Sequence, residues 1–177
     1  MSRSNATLHM LCGKIAAGKS TLSARLGGAS NAIVISEDRW IAQLYPEIRV
    51  LGDFFERCER LRGTLTPHVV DLLRAGVSVV LDFHANTARS RRWMRAMFEE
   101  AGASHQLHFL DVPDEVCRAR MHARAAAGGD GVSDAEFDHV TSHFVAPDPN
   151  EGFNVIRYVD ISPPPTSALE KGDERSR

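Results

Sequence analysis

Apolar residues follow two alternating patterns along this chain. Five short runs are largely apolar, as expected of strands, and they cover about residues 7–12, 32–35, 77–82, 107–111 and 153–159. Between them, apolar residues recur three and four positions apart, as expected of helices. Because strands alternate with helices, the sequence predicts an α/β fold with a mostly parallel sheet.

Capping residues and glycines predict where the helices begin and end. The first helix carries Leu22 and Leu26 on one face and is expected to stop at the glycine pair 27–28. Thr66 and Pro67 have the pattern of an N-cap and a first helical residue. Further helix starts are predicted at three positions, the last through a capping box: Thr87, Pro113 and Ser133.

Composition and charge narrow the class of protein. The chain has 177 residues, a formal net charge of -2 and a pI of about 6.4, which give no broadly basic surface for nucleic acid. Its three cysteines form no C-x-x-C pair and are expected to be reduced, buried or half-buried thiols: Cys12, Cys58 and Cys117.

No stretch of the sequence suggests a membrane segment. The first apolar run is broken by Gly13 and Lys14, and no run approaches the roughly 20 residues that span a bilayer. We therefore expect a cytoplasmic protein that binds no membrane. Residues 1–160 are expected to form one domain, and the proline-rich, charged residues 161–177 a disordered tail.

One stretch has a specific motif for phosphate binding. Residues 13–20 fit G-x-x-x-x-G-K-[ST] and lie between a predicted strand and a predicted helix, which gives the motif its meaning. Backbone N–H groups and the helix N-terminus should bind the phosphates of ATP. Lys19 should reach the β- and γ-phosphates, and the Ser20 hydroxyl should bind Mg²⁺. The predicted nucleotide-binding residues are Gly13, Lys14, Ile15, Ala16, Ala17, Gly18, Lys19, Ser20 and Thr21.

Two aspartates end predicted strands at the same sheet edge as this P-loop. Asp82 is the candidate Mg²⁺ ligand, and the alternative is an aspartate that caps a helix or braces a loop. Asp38 is the candidate base for an attacking hydroxyl, with a helix N-cap as the alternative and Glu37 as the competing base. For Trp40 and Tyr45, core packing and contact with a substrate are equally open.

Arginines cluster on two predicted helices. Arg120 and Arg124 lie four residues apart, just before a glycine-rich stretch where a lid could hinge. Arginines on a closing lid can stabilise the charge that spreads over the oxygens during phosphoryl transfer, and the alternative is a solvated or salt-bridged helix. A second group, after the third strand, is expected to form mostly a solvated face: Arg89, Arg91, Arg92 and Arg95.

Taken together, these residues resemble a group of small P-loop kinases. The group contains chloramphenicol phosphotransferase, the zeta toxins, the 5′-kinase domain of polynucleotide kinase and small AAA-type ATP-binding kinases. The similarity covers about residues 7–159 and rests on the following residues: the P-loop, Asp38, Val80-Leu81-Asp82, Asn86, Arg89, and Arg118, Arg120 and Arg124 on one helix.

The resemblance implies a three-layer P-loop fold with five strands in the order 2-3-1-4-5 and a lid after strand four. It implies an aspartate base at Asp38 and a loop, 147–152, near the adenine. It also implies a kinase that uses ATP and Mg²⁺ to phosphorylate a hydroxyl of a small-molecule acceptor, such as an antibiotic, a sugar or a nucleotide-sugar. Lys19, Asp38, Arg120 and Arg124 would be the catalytic residues.

The chain departs from this group at His84, which follows Phe83 beside Asp82. His84 could contact the acceptor or fill the floor of the cleft, so the acceptor pocket stays unassigned. Two other functions stay open: an ATPase or nucleotide-dependent switch without an acceptor, and a kinase of nucleic-acid 5′-hydroxyls. The acidic pI argues against long nucleic acids as partners.

Overall fold

Five parallel strands form the centre of the fold. The computed structural model describes residues 6–30, 32–47, 51–129 and 132–159, so the predicted tail lies outside the described residues. The strands are β1 Thr7–Gly13, β2 Ile33–Ser36, β3 Val79–His84, β4 Ser104–Leu110 and β5 Val155–Tyr158. They pair in the order β2-β3-β1-β4-β5, and each pair is parallel, which confirms the predicted fold class and strand order.

Helices cover both faces of this sheet and complete three layers. They are α1 Lys19–Ser30, α2 Glu37–Leu44, α3 Leu51–Arg74, α4 Ala88–Ala101, α5 Asp114–Ala126 and α6 Asp134–Ser142. One core cluster joins β1 to α3 and α4 through Met10, Leu73 and Met94, and the other joins it to α1 and α5 through Leu11 and Met121. In the described part of the chain, no helix has both the length and the apolar character needed to cross a membrane.

The predicted stop of α1 at its glycine pair is wrong. The helix continues to Ser30, and its contact with β2 explains the glycine at position 27. A Cβ atom on Gly27 would lie 2.4 Å from Cγ2 of Val34, so only glycine lets the helix approach the strand this closely. Gly27 therefore allows α1 to pack closely on β2 and does not end the helix.

The predicted helix start at Pro67 is also wrong, because Pro67 lies inside the long helix α3. A proline here removes the N–H that would bind the carbonyl of Gly63, four residues earlier. Gly63 is exposed, so water can bind that carbonyl instead. Thr66 does not cap a helix: its hydroxyl donates to the carbonyl oxygen of Arg62 at 2.7 Å.

Other local predictions are confirmed. Thr87 and Ser133 each form a capping box at the start of a helix, and Pro113 holds the N-cap position of α5. The three cysteines are buried and form no disulfide.

Arg91 is fully buried, so the predicted solvated face is wrong for this residue. Its Nε and Nη2 atoms donate to the carboxylate of Glu151 at 2.7 and 2.6 Å. Its Nη1 atom donates to the carbonyl oxygens of Ala85 and Val145 at 3.0 and 2.8 Å. Arg89 and Arg92 are exposed, as expected of a solvated face.

A buried polar chain crosses the sheet beneath α1. Nδ1 of His9 lies 3.1 Å from Nε2 of His108, and Nδ1 of His108 lies 2.9 Å from the hydroxyl of Tyr158. One set of tautomers satisfies both contacts: Tyr158 donates to His108, which donates to His9. Burial, followed by the nearby charge of His9 when protonated, lowers the pKa of His108 from its ordinary 6.5 to about 4.

We expect acid to destabilise the folded protein through His108. Because the pKa of His108 is lower in the folded state, the unfolded chain binds a proton at this residue more readily. The neutral His108 ring therefore contributes its full stabilisation of the folded state only above pH 6.5. As the pH falls toward 4, the free energy of unfolding should drop by about 3 kcal/mol. Denaturant titrations across this range measure the loss.

The matched control for this prediction is His108→Gln, which keeps a donor and an acceptor but does not titrate. This variant should flatten the dependence of stability on pH. His68→Gln, on the exposed side of α3, should leave the dependence unchanged. An equally steep dependence in His108→Gln would contradict the assignment to His108.

Candidate active site

The P-loop connects β1 to α1 and has the backbone conformation that a phosphate site requires. Ala16 and Gly18 have positive φ angles of 58° and 106°. A Cβ atom on Gly13 would lie 3.0 Å from Cβ of Leu110, so glycine is needed where the loop passes β4. The N–H of Gly13 donates to Oδ1 of Asn86 at 2.9 Å, which ties the start of the loop to the end of β3.

The side chain of Lys19 folds back into the P-loop, which precedes it in the sequence. Its Nζ atom donates to the carbonyl oxygens of Gly13 and Lys14 at 2.7 and 2.8 Å, and 9% of the residue is exposed. Burial lowers the pKa of Lys19, and the nearby carboxylates, Asp82 first, act in the opposite direction. The ammonium group is therefore held at the position where a nucleotide phosphate would enter.

The two candidate aspartates line the cleft beside the P-loop, Asp82 from β3 and Asp38 from the helix that follows β2. Asp82 lies on β3 in register with Ser36 of β2, and the register between β1 and β3 skips a step at Asp82 and Phe83. Burial raises the pKa of Asp82, repulsion from Asp38 raises it further, and Lys19 and hydrogen bonds with Ser36 and Ser20 oppose this. The two carboxylates are thus near enough for the charge of one to disfavour ionisation of the other.

Asp38 lies in the first turn of α2, where Ser36 holds the N-cap position, so the helix-cap alternative for Asp38 is wrong. Its side chain is 67% exposed and lines the cleft beside the P-loop. Enclosure raises the pKa of Asp38, and the charge of Lys19 opposes the shift. The carboxylate is thus open to a substrate but near a positive charge.

Glu37, the competing base, has a different environment. It is 1% exposed, and both carboxylate oxygens accept hydrogen bonds from Arg62, at 2.7 and 2.9 Å. The guanidinium of Arg62 also stacks over the ring of Trp93, 5.4 Å from its centroid. Glu37 therefore fastens α2 to α3 and does not line the cleft.

His84 ends β3 on the cleft side. Its Nε2 atom lies 3.9 Å from Oδ1 of Asp38, and its side chain is 43% exposed. Enclosure, followed by the charges of Lys19 and Arg62, lowers the pKa of His84 well below its ordinary value. The imidazole is therefore neutral at pH 7, and its contact with Asp38 is not an ion pair.

The candidate lid residues lie on the opposite wall. Arg120 and Arg124 line the same cleft, which has a volume of about 640 Å³, and Nη1 of Arg120 donates to the carbonyl oxygen of Ala17 at 3.3 Å. Lys14 of the P-loop pairs with Asp114 at the start of α5. The helix that carries the arginines thus contacts the P-loop at two points.

Two residues outside the sequence-based candidates, Arg25 and Val132, also line the cleft. Arg25 could have been found, because it lies four residues after Thr21 and hence on the same side of α1. The loop 147–152, which the resemblance places near the adenine, packs on α4 through the ion pair between Arg91 and Glu151.

Trp40 and Tyr45, whose roles the sequence left open, differ in their packing. Trp40 is 37% exposed at the surface of α2. Tyr45 is half-buried against the core, with the guanidinium of Arg57 over its ring at 4.9 Å. Of the two alternatives, core packing therefore holds for Tyr45 but not for Trp40.

Comparisons with known proteins agree with this geometry. Residues 8–147 match a family model described as an AAA domain. A search of curated proteins found no match. A candidate kinase from Chloroflexus aurantiacus j-10-fl has a similar structure, with a TM-score of 0.72, 18% identity, and coverage of 90% of this chain and 87% of the other.

Two further structures are similar. One is a chain of the Pnkp1/Rnl/Hen1 RNA repair complex, with a TM-score of 0.65, 21% identity, and coverage of 79% of this chain and 44% of the other. The second is the APS kinase of Mycobacterium tuberculosis in complex with AMPPNP and APS. It has a TM-score of 0.58 and 22% identity, and the match covers 91% of this chain and 92% of the other. At these identities, the likeness concerns the fold.

The strand order, the P-loop and the cleft together define a P-loop protein with the fold of the small kinases. The match over residues 8–147 is more specific. The chain belongs to the AAA domain family that this model describes.

Proposed function

We propose that this protein is an ATP-dependent phosphotransferase that moves the γ-phosphate of ATP to a hydroxyl of a small molecule. The observation that carries the proposal is the placement of Asp38 and Asp82 across one cleft from Lys19. A P-loop accounts for nucleotide binding. The exposed carboxylate of Asp38 beside it supplies a proton acceptor for the attacking group.

Mg²⁺ and ATP fit the residues that are present. Ser20 and Asp82 offer only oxygen ligands, which Mg²⁺ prefers, and their side chains are within hydrogen-bond reach of each other. No cluster of three or more His, Cys, Asp or Glu residues in the described ranges could hold a metal alone. Mg²⁺ would therefore be bound together with the nucleotide phosphates, where it neutralises charge.

Asp38 is the proposed base, and α2 holds it in place. Its neighbour Glu37 is fixed by Arg62, so the first turn of the helix is anchored while Asp38 stays exposed to the cleft. The carboxylate accepts the proton of the acceptor hydroxyl as the oxygen attacks phosphorus. The bond between the γ-phosphorus and its bridging oxygen breaks, and ADP leaves.

Arg120 and Arg124 are proposed to stabilise the transferred phosphoryl group. Both lie on α5 and already line the cleft, and Arg120 lies within reach of the P-loop backbone. A modest movement of this helix would bring their charges onto the oxygens of the γ-phosphate. We name α5 and the described residues up to the start of α6, residues 114–129 and 132–134, the lid.

A small-molecule acceptor fits best, because the cleft of about 640 Å³ has the size of a ligand pocket and the chain has a net charge of -2. To test this, the transfer of radiolabelled γ-phosphate from ATP to pooled sugars, nucleosides and antibiotics is measured. Separate reactions contain 5′-hydroxyl oligonucleotides or no acceptor other than water. Labelled small molecules support the proposal. Label only in oligonucleotides or only in inorganic phosphate would overturn it.

Lys19→Ala should nearly abolish phosphoryl transfer without unfolding the protein. Loss of one preorganised charge contact typically costs on the order of 3 kcal/mol in the transition state, or roughly 100-fold in rate. Turnover and circular dichroism should be measured on the same sample, with Arg60→Ala on the exposed side of α3 as the control. A folded Lys19→Ala variant with full turnover would refute the role of the P-loop.

A bound nucleotide should protect backbone amides of the lid. The contacts of Lys14 with Asp114 and of Arg120 with Ala17 link α5 to the loop that binds the phosphates. Hydrogen exchange with and without a non-hydrolysable ATP analogue tests this, and we expect slower exchange in residues 123–129 and 132–133. Residues 51–74 of α3 provide the internal control. Identical exchange in the lid under both conditions would count against closure.

Asp38→Asn should separate transfer from nucleotide binding. The substitution keeps the shape of the side chain but removes the proton acceptor, so transfer should fall by roughly 10² to 10⁴. ATP affinity should change little, because a base acts in the transition state. Asp71→Asn, on the exposed side of α3, is the matched control. Retained transfer would remove the base from the mechanism, and loss of ATP affinity would assign Asp38 to metal or structure.

A further inference from the structure

His84 points into the cleft because of its position on β3. Alternate residues of a strand face opposite sides, and Phe83 is 1% exposed in the core, so Asp82 and His84 share the cleft side. The register between β1 and β3 jumps from Met10 opposite Leu81 to Leu11 opposite His84. Irregularities of this kind re-aim side chains and are common beside active sites.

The gap between His84 and Asp38 has the dimensions of a hydroxyl site. Their atoms Nε2 and Oδ1 are 3.9 Å apart, which is too far for a direct hydrogen bond. An oxygen at about 2.8 Å from both atoms would have them about 90° apart, roughly 20° less than the tetrahedral angle but wide enough for one hydrogen bond to each. The carboxylate also favours the tautomer of His84 that carries its proton on Nε2, facing Asp38.

We propose that His84 and Asp38 together bind the acceptor hydroxyl, with Nε2–H of His84 donating to the oxygen and the hydroxyl proton directed to Asp38. This inference rests on the proposed kinase function. The four positions around the oxygen are then assigned: its proton to Asp38, one lone pair to His84, the other lone pair to phosphorus, and a bond to carbon. His84 is thus an acceptor-binding residue.

The same arrangement discriminates against water as the attacking group. The carbon skeleton of an alcohol contacts the cleft and fixes the orientation of its hydroxyl group. A water molecule bound to the same two residues has no such skeleton, and its second proton leaves its orientation less well defined. The two cations whose charges act on His84 have other partners, since Arg62 binds Glu37 and Lys19 binds P-loop carbonyls. His84 should therefore increase transfer to the acceptor relative to hydrolysis of ATP.

Two variants of His84 and one control test the inference. His84→Leu keeps the bulk of the side chain but has no donor, and His84→Gln restores an N–H group. His68→Leu is the control on the exposed side of α3. Each is assayed with radiolabelled ATP and the pooled sugars, nucleosides and antibiotics, and the ratio of labelled product to inorganic phosphate is measured together with ATP affinity.

We expect His84→Leu to lower this ratio roughly tenfold, as for the loss of one hydrogen bond, whereas ATP affinity should change little because His84 contacts the acceptor. His84→Gln should recover part of the loss, and His68→Leu should match the natural protein. An unchanged ratio in His84→Leu, with transfer present in the natural protein, would overturn this inference alone. A natural protein that labels none of the pooled acceptors would overturn the proposed function as well.

A measurement without an acceptor gives an independent check. Long-range correlation spectra between ¹⁵N and ¹H distinguish the two tautomers of a neutral histidine, and the signals of His84 are assigned by their loss in His84→Gln. The inference requires the proton on Nε2. A proton on Nδ1 would overturn it.

Discussion

The buried guanidinium of Arg91 is the interaction on which the geometry of the candidate site depends. A charge taken out of water must have its hydrogen bonds satisfied, or several kcal/mol of stability are lost. Arg91 meets this demand with groups from distant parts of the chain: the carbonyl oxygens of Ala85 and Val145 and the carboxylate of Glu151. Next to Ala85, the side-chain oxygen of Asn86 accepts a hydrogen bond from the N–H of Gly13, and its backbone carbonyl oxygen accepts one from the N–H of Val145. The start of the P-loop, the end of β3 and the segment after α6 are therefore fixed as one unit.

This unit explains why chemically active groups from separate strands meet at one edge. In a parallel sheet, the carboxyl ends of the strands lie together, and here β1 continues into the P-loop while β3 carries Asp82 and His84. Asp38 joins them because Ser36 of β2 lies opposite Asp82. Lys19 then lies near both carboxylates, and its charge opposes the effect of burial on the pKa of each.

Local patterns predicted much of this arrangement, and contacts between distant residues explain the rest. The P-loop, the helix cap at Thr87, the capping box at Ser133 and the two aspartates can be recognised from a few neighbouring positions, because these signals depend on residues close together in the sequence. The burial of Arg91 could not be read this way, since its partner Glu151 is 60 residues away. The same holds for Gly27, whose role depends on Val34 of the adjacent strand.

Adjacent residues Glu37 and Asp38 show how environment divides roles between two carboxylates. The sequence alone gives no reason to prefer one, because both follow the same strand and both can accept a proton. Burial and a two-point contact with Arg62 commit Glu37 to holding α2 against α3, whereas Asp38 faces the cleft, where enclosure raises its pKa. A raised pKa makes a carboxylate a stronger base, and the charge of Lys19 opposes the rise. Glu37 thereby holds the first turn of α2, which carries Asp38, the proposed base. The cost of burying the carboxylate of Glu37 is offset by its ion pair with Arg62.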